Sequence, residues 1–305
     1  MAQKHYVIGV DVGGTKIAAG VVSPTGKILY SVRVATEQRR SAKRVRDNIF
    51  EAIASCVEEY KPSAIGIGIT GPVNASQGVS LFSPNLPGDW KNIPLGTLIH
   101  KRFHVPTFID NDANAIGLAE MLWGKARHMP SALMITLGTG IGGVYLLNDC
   151  IVHGKTGGGS ELGHITISQQ KIRCSCGQYG HFESFVSGPA LIRYYQQRTG
   201  KKGTTYDIVA EARRGKRDAR AAIEEMRTYL GIGLASLMHA FSPHIIVLGG
   251  GLANIPFLTR DLQGLVRPHL MSSIAFGKIK IVKSSIQHTA GILGGAALTM
   301  NTKTP

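Results

Sequence analysis

The segment YVIGVDVGGTKIAAGVV occupies residues 6–22 and holds the pattern on which the fold assignment depends. An apolar run leads to Asp11, two glycines and Lys16, and a second apolar run follows directly. A short turn and a third apolar run, residues 28–34, come next. Short apolar runs separated by glycine-containing turns are typical of neighbouring β-strands. The segment therefore predicts three strands, the first two joined by a glycine hairpin.

The turn between the first two strands carries groups that bind phosphate. Glycines let successive backbone N–H groups point at one anion, and threonine and lysine side chains add further donors. A carboxylate at the end of the strand can bind Mg²⁺ directly or through water. Glycine hairpins also occur without any ligand, so this turn alone leaves the function open. The residues predicted to bind nucleotide here are Asp11, Gly13, Gly14, Thr15 and Lys16.

A second strand, glycine turn and strand lie in the middle of the chain. Apolar runs at 132–137 and 144–147 flank the turn GTGIGG at 138–143. Two such patterns predict a duplicated architecture, whose halves face each other across a cleft and grip phosphate from both sides. The predicted nucleotide-binding residues of this turn are Gly138, Thr139, Gly140 and Gly142.

The rest of the chain predicts a mixture of helices and strands. Apolar residues recur at helical spacing from about 41 to 60, and further helices are predicted at about 112–124, 217–240 and 289–300. Further strands are predicted at 64–70, 106–110, 150–152, 244–248 and 278–282. This mixture is typical of α/β domains with a helix-covered sheet.

Two more motifs follow predicted strands. Asn111 and Asp112 end one strand and begin a helix, where the carboxylate can be a helix N-cap or can accept a proton from a sugar hydroxyl during phosphoryl transfer. The glycine turn after Leu248 allows close approach of a flat ligand such as adenine, and it equally allows tight packing of the backbone. Both pairs of alternatives stay open. The predicted nucleotide-binding residues of the second motif are Gly249, Gly250 and Gly251.

Two thiols and two imidazoles lie within eighteen residues and form a candidate Zn²⁺ site, consisting of His164, Cys174, Cys176 and His181. Glycines between them allow tight turns. Because protein side chains would fill all four tetrahedral positions, such a zinc would be structural. Glu161 and Glu183 bracket the cluster. The other two cysteines, Cys56 and Cys150, lie in apolar contexts and are predicted to be core thiols.

Composition limits the possible functions. The chain has 305 residues with 43% hydrophobic and 17% charged residues, which suits a globular protein of two domains. A net charge of +15 raises the alternative of a nucleic-acid partner, but the basic clusters lie on or beside amphipathic helices without interleaved aromatics, so we expect none. With no membrane-length apolar run and no signal segment before the first strand, we expect a cytoplasmic protein without a membrane partner.

Taken together, these motifs resemble the ROK family of sugar kinases and repressors, and most closely its bacterial glucokinases. The resemblance covers nearly the whole chain and depends on the order of the motifs, from the Asp11 loop to the turn after Leu248. It implies an α/β fold of the actin-like ATPase, ribonuclease-H-like class, with two domains around a central cleft. The implied small domain is 1–115 plus 289–305, and the implied large domain is 116–288.

The resemblance also implies roles for individual residues. Asp112 matches the catalytic base, and His164 matches a residue that binds zinc through one nitrogen while the other meets the sugar. The family's zinc set is usually one His and three Cys, and here His181 stands at the third Cys position. Imidazole is also a good zinc ligand, so we expect a Cys₂His₂ site. The implied sugar-binding residues are Asn111, Asp112, Glu161, His164, Glu183, Gly71 and Asn85.

The implied activity is transfer of the γ-phosphate of ATP, with Mg²⁺, to a hexose hydroxyl, O6, with glucose as the first substrate. Alternatives are an N-acetylmannosamine or N-acetylglucosamine kinase, a fructokinase, or a non-catalytic sugar-responsive regulator. Repressors of the family carry a helix-turn-helix domain before the kinase-like part, and a first strand at about residue 6 leaves no room for one. A homodimer or homotetramer is the assembly that the family implies.

Overall fold

A computed structural model describes residues 5–83, 85–155 and 160–300. Contacts divide the chain into two compact units. The first unit comprises Met1–Pro130, Val144–Ser160 and Ser285–Pro305, and the second unit comprises Ser131–Gly143 and Glu161–Ser284. The domain boundaries implied by the resemblance, 1–115 plus 289–305 and 116–288, stay a prediction and include residues outside the described ranges.

Thirteen strands lie within the described residues: β1 (Val7–Val12), β2 (Lys16–Val22), β3 (Ile28–Ala35), β4 (Ala64–Ile69), β5 (Val73–Asn74), β6 (Val79–Phe82), β7 (Lys91–Ile93), β8 (Thr107–Asn111), β9 (Ser131–Leu137), β10 (Ile141–Leu147), β11 (Cys150–Ile151), β12 (Ile245–Gly249) and β13 (Lys280–Lys283). The same residues form eleven α-helices: α1 (Ala42–Glu59), α2 (Leu95–Phe103), α3 (Asp112–Trp123), α4 (Phe182–Phe185), α5 (Gly188–Thr199), α6 (Thr205–Arg213), α7 (Arg217–Phe241), α8 (Pro256–Thr259), α9 (Leu262–Val266), α10 (Ser273–Phe276) and α11 (Ala290–Leu298). Each helix and strand expected from the sequence is present, with small shifts at its ends.

The sheet of the first unit has the strand order β3-β2-β1-β4-β8. The strands β1, β4 and β8 are parallel, while β2 pairs with β1 and β3 in the antiparallel sense. Parallel strands present their carboxyl ends at one edge of the sheet, and here Asp11, Gly68 and Asp110 are neighbours in one row of that edge. The polar groups that follow β1 and β8 therefore come from the same side of one sheet.

On one face of this sheet, α11 packs unusually close to the strands. Gly20, Gly9 and Gly66 form a row across β2, β1 and β4. A methyl group added at Gly9 would overlap the carbonyl oxygen of Ile292, and one added at Gly66 would overlap that of Gly295. Because both obstacles are backbone atoms, which cannot rotate away, only glycine fits beneath this helix.

The opposite face carries α1 and most of the remaining core of the first unit. Val45, Ile49 and Ile53 recur at helical spacing and are fully buried together with the apolar residues of β1, β2 and β4. Cys56 on the same helix is also fully buried, which confirms its prediction as a core thiol, and burial raises its pKa to about 12. Cys150 on β11 is only partly buried, so the same prediction for that residue holds only in part.

A second sheet has the strand order β11-β10-β9-β12-β13, and its strands β9, β12 and β13 are parallel. A small antiparallel sheet, β5-β6-β7, belongs to the first unit. The long helix α7 covers the core of the second unit with twelve buried residues, among them Met226, Leu230 and Leu234. Among the helices of the described ranges, none combines the length and apolar character that crossing a bilayer requires.

The contact between α11 and the glycine row predicts that Gly66→Ala is strongly destabilising. Forcing a side chain against fixed backbone costs about 3 kcal/mol, which corresponds to a fall of roughly 6–12 °C in the unfolding midpoint. Gly88→Ala is the matched control, since a methyl group there meets no described atom within 4 Å. Thermal unfolding followed by circular dichroism measures both, and equal midpoints for the two variants would contradict the proposed packing.

Candidate functional site

Asp11 and Asp112 both lie at the carboxyl edge of the first sheet. Asp11 is at the end of β1, and Asp112 is the first residue of α3, directly after β8. Burial and, to a smaller extent, the negative charge of Asp112 raise the pKa of Asp11 to about 6, against the opposing effect of Lys16. The edge therefore concentrates negative charge, and an oxygen-ligated divalent cation such as Mg²⁺ fits this donor chemistry.

The glycine turn beside Asp11 is held by hydrogen bonds to Thr36. The Gly13 N–H donates to the Lys16 carbonyl at 3.0 Å, which closes the turn. The fully buried Thr36 donates its hydroxyl to the Gly13 carbonyl at 2.7 Å and its N–H to the Thr15 carbonyl at 3.1 Å. Thr36 thus binds two carbonyl groups of the turn. The sequence did not predict this role, because Thr36 lies in no motif.

Gly14 packs directly against a predicted sugar-binding residue. A methyl group at Gly14 would lie 2.9 Å from the Cβ atom of Asn85. The Asn85 side chain donates to the Thr70 hydroxyl at 3.2 Å, and the Thr70 N–H donates to the Val12 carbonyl at 3.1 Å. The first glycine turn and the segment around Asn85 are therefore one continuous structure.

The junction of β8 and α3 places the next predicted residues. The Asn111 side chain caps α3 by accepting from the Ala113 N–H at 2.9 Å, so Asn111 rather than Asp112 is the N-cap. Its amide donates to the carbonyl of Gly71 at 3.0 Å, and Gly71 has a positive φ of 95° that favours glycine. The structure thus brings Gly71, Asn111 and Asp112 together, although the catalytic role of Asp112 stays a prediction.

In the second unit, the second glycine turn contacts Glu183. The Gly138 N–H donates to the Gly140 carbonyl at 2.9 Å, and the Ile141 N–H donates to Glu183 Oε2 at 3.4 Å. The other carboxylate oxygen of Glu183 accepts from the Ser175 hydroxyl at 2.6 Å. Burial opposes ionisation of Glu183, but the hydrogen bonds from Ser175 and Cys174 hold its pKa below the ordinary value. Glu183 thus links the second glycine turn to the loop around Cys174 and Ser175, which we call the Cys-rich loop. The sequence did not predict this link.

In the glycine turn after β12, backbone packing explains one of the three glycines. A methyl group at Gly249 would lie 2.5 Å from Met134 Cε, and one at Gly250, whose φ is 83°, would overlap the backbone of Leu137. An added methyl at Gly251 meets no described atom within 4 Å. Met134 Cε is the end of a flexible side chain and can move aside, so close packing accounts for Gly250 alone, and nucleotide binding at this turn stays a prediction.

The four predicted zinc ligands come together in the second unit. The ligand atoms of His164, Cys174, Cys176 and His181 all lie within 4.8 Å of one another. The two Nδ1 atoms are 3.3 Å apart, and the Sγ–Nδ1 distances are 3.5 Å for Cys174 with His164 and 3.3 Å for Cys176 with His181. A tetrahedral Zn²⁺ with ordinary bond lengths needs about 3.3 Å between nitrogens and about 3.6 Å between sulfur and nitrogen. The residues present fit zinc.

His164 presents its two ring nitrogens to different partners. Its Nδ1 belongs to the cluster, while its Nε2 lies 3.8 Å from the carboxylate of Glu161. Glu161 is exposed and directly precedes the 3₁₀ turn Leu162–His164. The expected double role of His164 requires one ring nitrogen for zinc and the other free for the sugar. This arrangement is compatible with it.

The predicted site residues divide between the two units. The first unit contains Asp11, Gly13, Gly14, Thr15, Lys16, Gly71, Asn85, Asn111 and Asp112. The second unit contains Gly138, Thr139, Gly140, Gly142, Glu161, His164, Cys174, Cys176, His181, Glu183, Gly249, Gly250 and Gly251. Within each unit, the residues of the glycine turns contact residues predicted to bind sugar.

Comparison with known proteins identifies the family. The model of the ROK family matches residues 7–302. A glucokinase of Thermotoga maritima is 33% identical, over 97% of each chain. A ROK glucokinase of Streptomyces griseus, solved in complex with glucose and AMPPNP, is 31% identical with a TM-score of 0.83, over 97% of this chain and 98% of that one. An N-acetyl-D-glucosamine kinase of Shigella boydii is 29% identical, over 95% of this chain and 97% of that protein.

Fold and site define an α/β protein of the actin-like ATPase class, with two glycine turns and a Cys/His cluster, as the sequence implied. The chain belongs to the ROK family.

The charge around Asp11 predicts that Asp11→Asn stabilises the protein at neutral pH. With a pKa of about 6 against an ordinary 3.8, the folded protein binds this proton more tightly than the unfolded chain does. Stability is therefore lost as the pH rises from about 4 to about 6, by at most about 3 kcal/mol. The variant should unfold at a higher temperature than wild type at pH 7.5, and the difference should vanish near pH 4.

Thermal unfolding without nucleotide or divalent cation measures this difference. Asp47→Asn on the exposed side of α1 is the matched control and should change little. An Asp11→Asn variant that is less stable than wild type at pH 7.5 would contradict the assigned charge.

Proposed function

We propose that this protein is an ATP- and Mg²⁺-dependent hexokinase that transfers the γ-phosphate of ATP to O6 of glucose. Two findings support the sugar kinase class: residues 7–302 match the ROK family model, and kinase relatives align with this chain over nearly their full length. The single structural observation that supports catalysis is the first unit's sheet edge, where the glycine turn beside Asp11 and the carboxylate of Asp112 follow parallel strands.

Asp112 would act as the general base. Phosphoryl transfer needs little covalent help from a protein, because positioning and charge stabilisation supply most of the rate. Asp112 would accept the proton of the attacking hydroxyl, and its place in the first turn of α3 ties it to rigid secondary structure. Asn111 directly precedes it and binds Gly71, and Asn85 binds the neighbouring Thr70; Asn111, Gly71 and Asn85 would orient the sugar hydroxyls.

The phosphates would be bound by the two glycine turns. The backbone N–H of Gly14, the Thr15 hydroxyl and the Lys16 ammonium would stabilise the negative charge that spreads over the transferred phosphoryl group, while the Gly13 N–H closes the turn on the Lys16 carbonyl. In the second unit, Thr139, Gly140 and Gly142 would supply equivalent donors, while the Gly138 N–H closes that turn on the Gly140 carbonyl. Bound Mg²⁺ would neutralise phosphate charge, and Asp11 is the residue that would hold it.

We propose that the Cys/His cluster holds one structural Zn²⁺ through His164, Cys174, Cys176 and His181. With four protein ligands the ion has no open position, so it would fix the shape of the Cys-rich loop. Glu183 accepts a hydrogen bond from Ser175, which stands between the two cysteines. The metal would thereby help to aim Glu183, Glu161 and His164 toward the sugar.

Glucose is the proposed substrate, and an N-acetylhexosamine is the alternative. Relatives that align over nearly the full chain include both kinds of enzyme: a glucokinase at 33% identity and an N-acetyl-D-glucosamine kinase at 29%. The motif residues serve either sugar, and the pocket for an acetamido group is formed by loops. The difference in identity is small, so the choice depends on direct measurement.

The proposed activity predicts that ADP release requires both a hexose and the Asp112 carboxylate. A coupled assay over glucose, fructose, mannose and the two N-acetylhexosamines should give the highest kcat/KM with glucose, and the product should carry phosphate on O6. Asp112→Asn keeps the shape of the side chain and removes the base, so kcat should fall about 10²–10⁴-fold.

Sugar binding to the Asp112→Asn variant, followed by calorimetry, should stay near that of wild type and is the control for folding. A variant that keeps more than about a tenth of the wild-type kcat would reject Asp112 as the base. Turnover with an N-acetylhexosamine but not with glucose would replace the proposed substrate by the alternative, and no turnover with any sugar would favour a regulator.

The proposed zinc site predicts about one zinc per chain, with an indirect effect on activity. His181→Ala should lose the metal, raise the KM for sugar and lower stability, because two thiolates lose a shared partner. His181→Cys supplies a thiolate ligand and should keep both metal and activity. The KM for ATP should change little in either variant.

Elemental analysis of the purified proteins decides the assignment, with His104→Ala, on an exposed residue outside the cluster, as the control. A metal-free wild-type protein with full activity, or a normal zinc content in His181→Ala, would show that the assignment is wrong.

A further inference from the structure

A buried carboxylate two residues before Asp112 has no part in the proposed reaction. Asp110 is 2% exposed and lies on β8. Its Oδ1 atom accepts from the Asn111 N–H at 2.7 Å and from the Asn114 side-chain amide at 2.9 Å. Asp110 therefore binds the backbone and the first helical turn on both sides of Asp112, and Asn114 is itself buried.

The second oxygen of Asp110 is bound by a histidine from a distant part of the first unit. His153 follows β11, and its Nε2 lies 2.7 Å from Asp110 Oδ2. This side chain is 30% exposed, so it reaches solvent while the carboxylate does not. The hydrogen bond to Asp110 raises the pKa of His153 against the effect of burial, and a hydrogen bond to the backbone of Ile151 raises it further. Because an ionised carboxylate can only accept, the ring Nε2 of His153 is the donor of this hydrogen bond.

The pair stabilises the turn that carries the predicted base. A buried carboxylate without a counter-charge or donor is costly, and the surrounding structure rearranges to hydrate it. If His153 did not bind Asp110, the carboxylate would turn outward and release the Asn111 N–H and the Asn114 amide. Asn111 itself caps α3 and binds Gly71. Losing the hydrogen bond from His153 would therefore also loosen the residues on either side of Asp112.

We propose that His153 is a positioning residue for phosphoryl transfer, whose hydrogen bond to Asp110 holds the β8–α3 turn in the conformation that aims Asp112. This proposal rests on the proposed function, because it takes Asp112 as the base. His153 touches neither sugar nor nucleotide in this role, and it acts through Asp110 and Asn111.

Two variants separate the hydrogen bond from the shape of the side chain. His153→Gln keeps an N–H donor at a similar reach, whereas His153→Leu keeps the bulk and removes the donor. A misplaced base costs turnover more than binding, so His153→Leu should lower kcat about tenfold or more with little change in the KM for ATP. His153→Gln should restore most of the rate. His5→Leu, on an exposed residue before β1, is the matched control and should have wild-type kinetics.

Wild-type kcat in His153→Leu, or equal losses in the Leu and Gln variants, would overturn the proposal. If His153→Leu does not fold, the double variant Asp110→Asn/His153→Leu leaves no buried charge unpaired. It should be folded and slow, and a normal kcat in the double variant would also overturn the proposal.

Hydrogen exchange distinguishes failure of this proposal from failure of the proposed function. The backbone amides of residues 111–114 should exchange faster in His153→Leu than in wild type or His5→Leu, whether or not a sugar is phosphorylated. A wild type that phosphorylates no sugar rejects the kinase function alone. Unchanged exchange at 111–114 rejects the role of His153.

Discussion

The close approach of α11 to the row formed by Gly20, Gly9 and Gly66 is the contact on which the first unit depends. Helix and sheet usually stand apart by the thickness of their side chains, and here backbone meets backbone. The helix contributes glycines of its own: a methyl group at Gly294 would lie 2.9 Å from the backbone of Ala115 in α3, and one at Gly291 would overlap the carboxylate of Asp11. One helix therefore sets the positions of β1, β4 and α3, and with them the spacing of the acidic residues at the sheet edge.

That edge contains three carboxylates, and two of them, Asp110 and Asp11, have different surroundings. Asp110 is buried, and both of its carboxylate oxygens accept hydrogen bonds, one of them from His153. Asp11 has only the opposing influence of Lys16 against burial and the charge of Asp112, so its charged form is disfavoured until a cation arrives. This difference separates a carboxylate that supports structure from one that is suited to bind a metal, although both lie in the same row of the sheet.

Much of the fold could be predicted because its signals are local. The hairpin of β1 and β2, the helices α1, α3, α7 and α11, and the ligand set of the Cys/His cluster all follow from apolar spacing, glycines and residue type. Strand register could not be predicted, so the alignment of the glycine row was invisible. The pair of Asp110 and His153 is separated by 43 positions, and Thr36 reaches back to Gly13 across 23, so neither leaves a sequence motif. The turn after β12 remained ambiguous because close packing and ligand approach select the same residue type.

The chain order of the first unit has a consequence for its synthesis. The glycine row lies within the first 66 residues, whereas α11 begins at Ala290. At the usual speed of a ribosome, roughly 10–45 s pass between the emergence of β4 and that of α11. During that interval the sheet can form with α1 on one face and α3 at the end of the other, but the glycine row lacks the helix that packs on it. The first unit therefore completes its packing only after the residues of α11 have been synthesised.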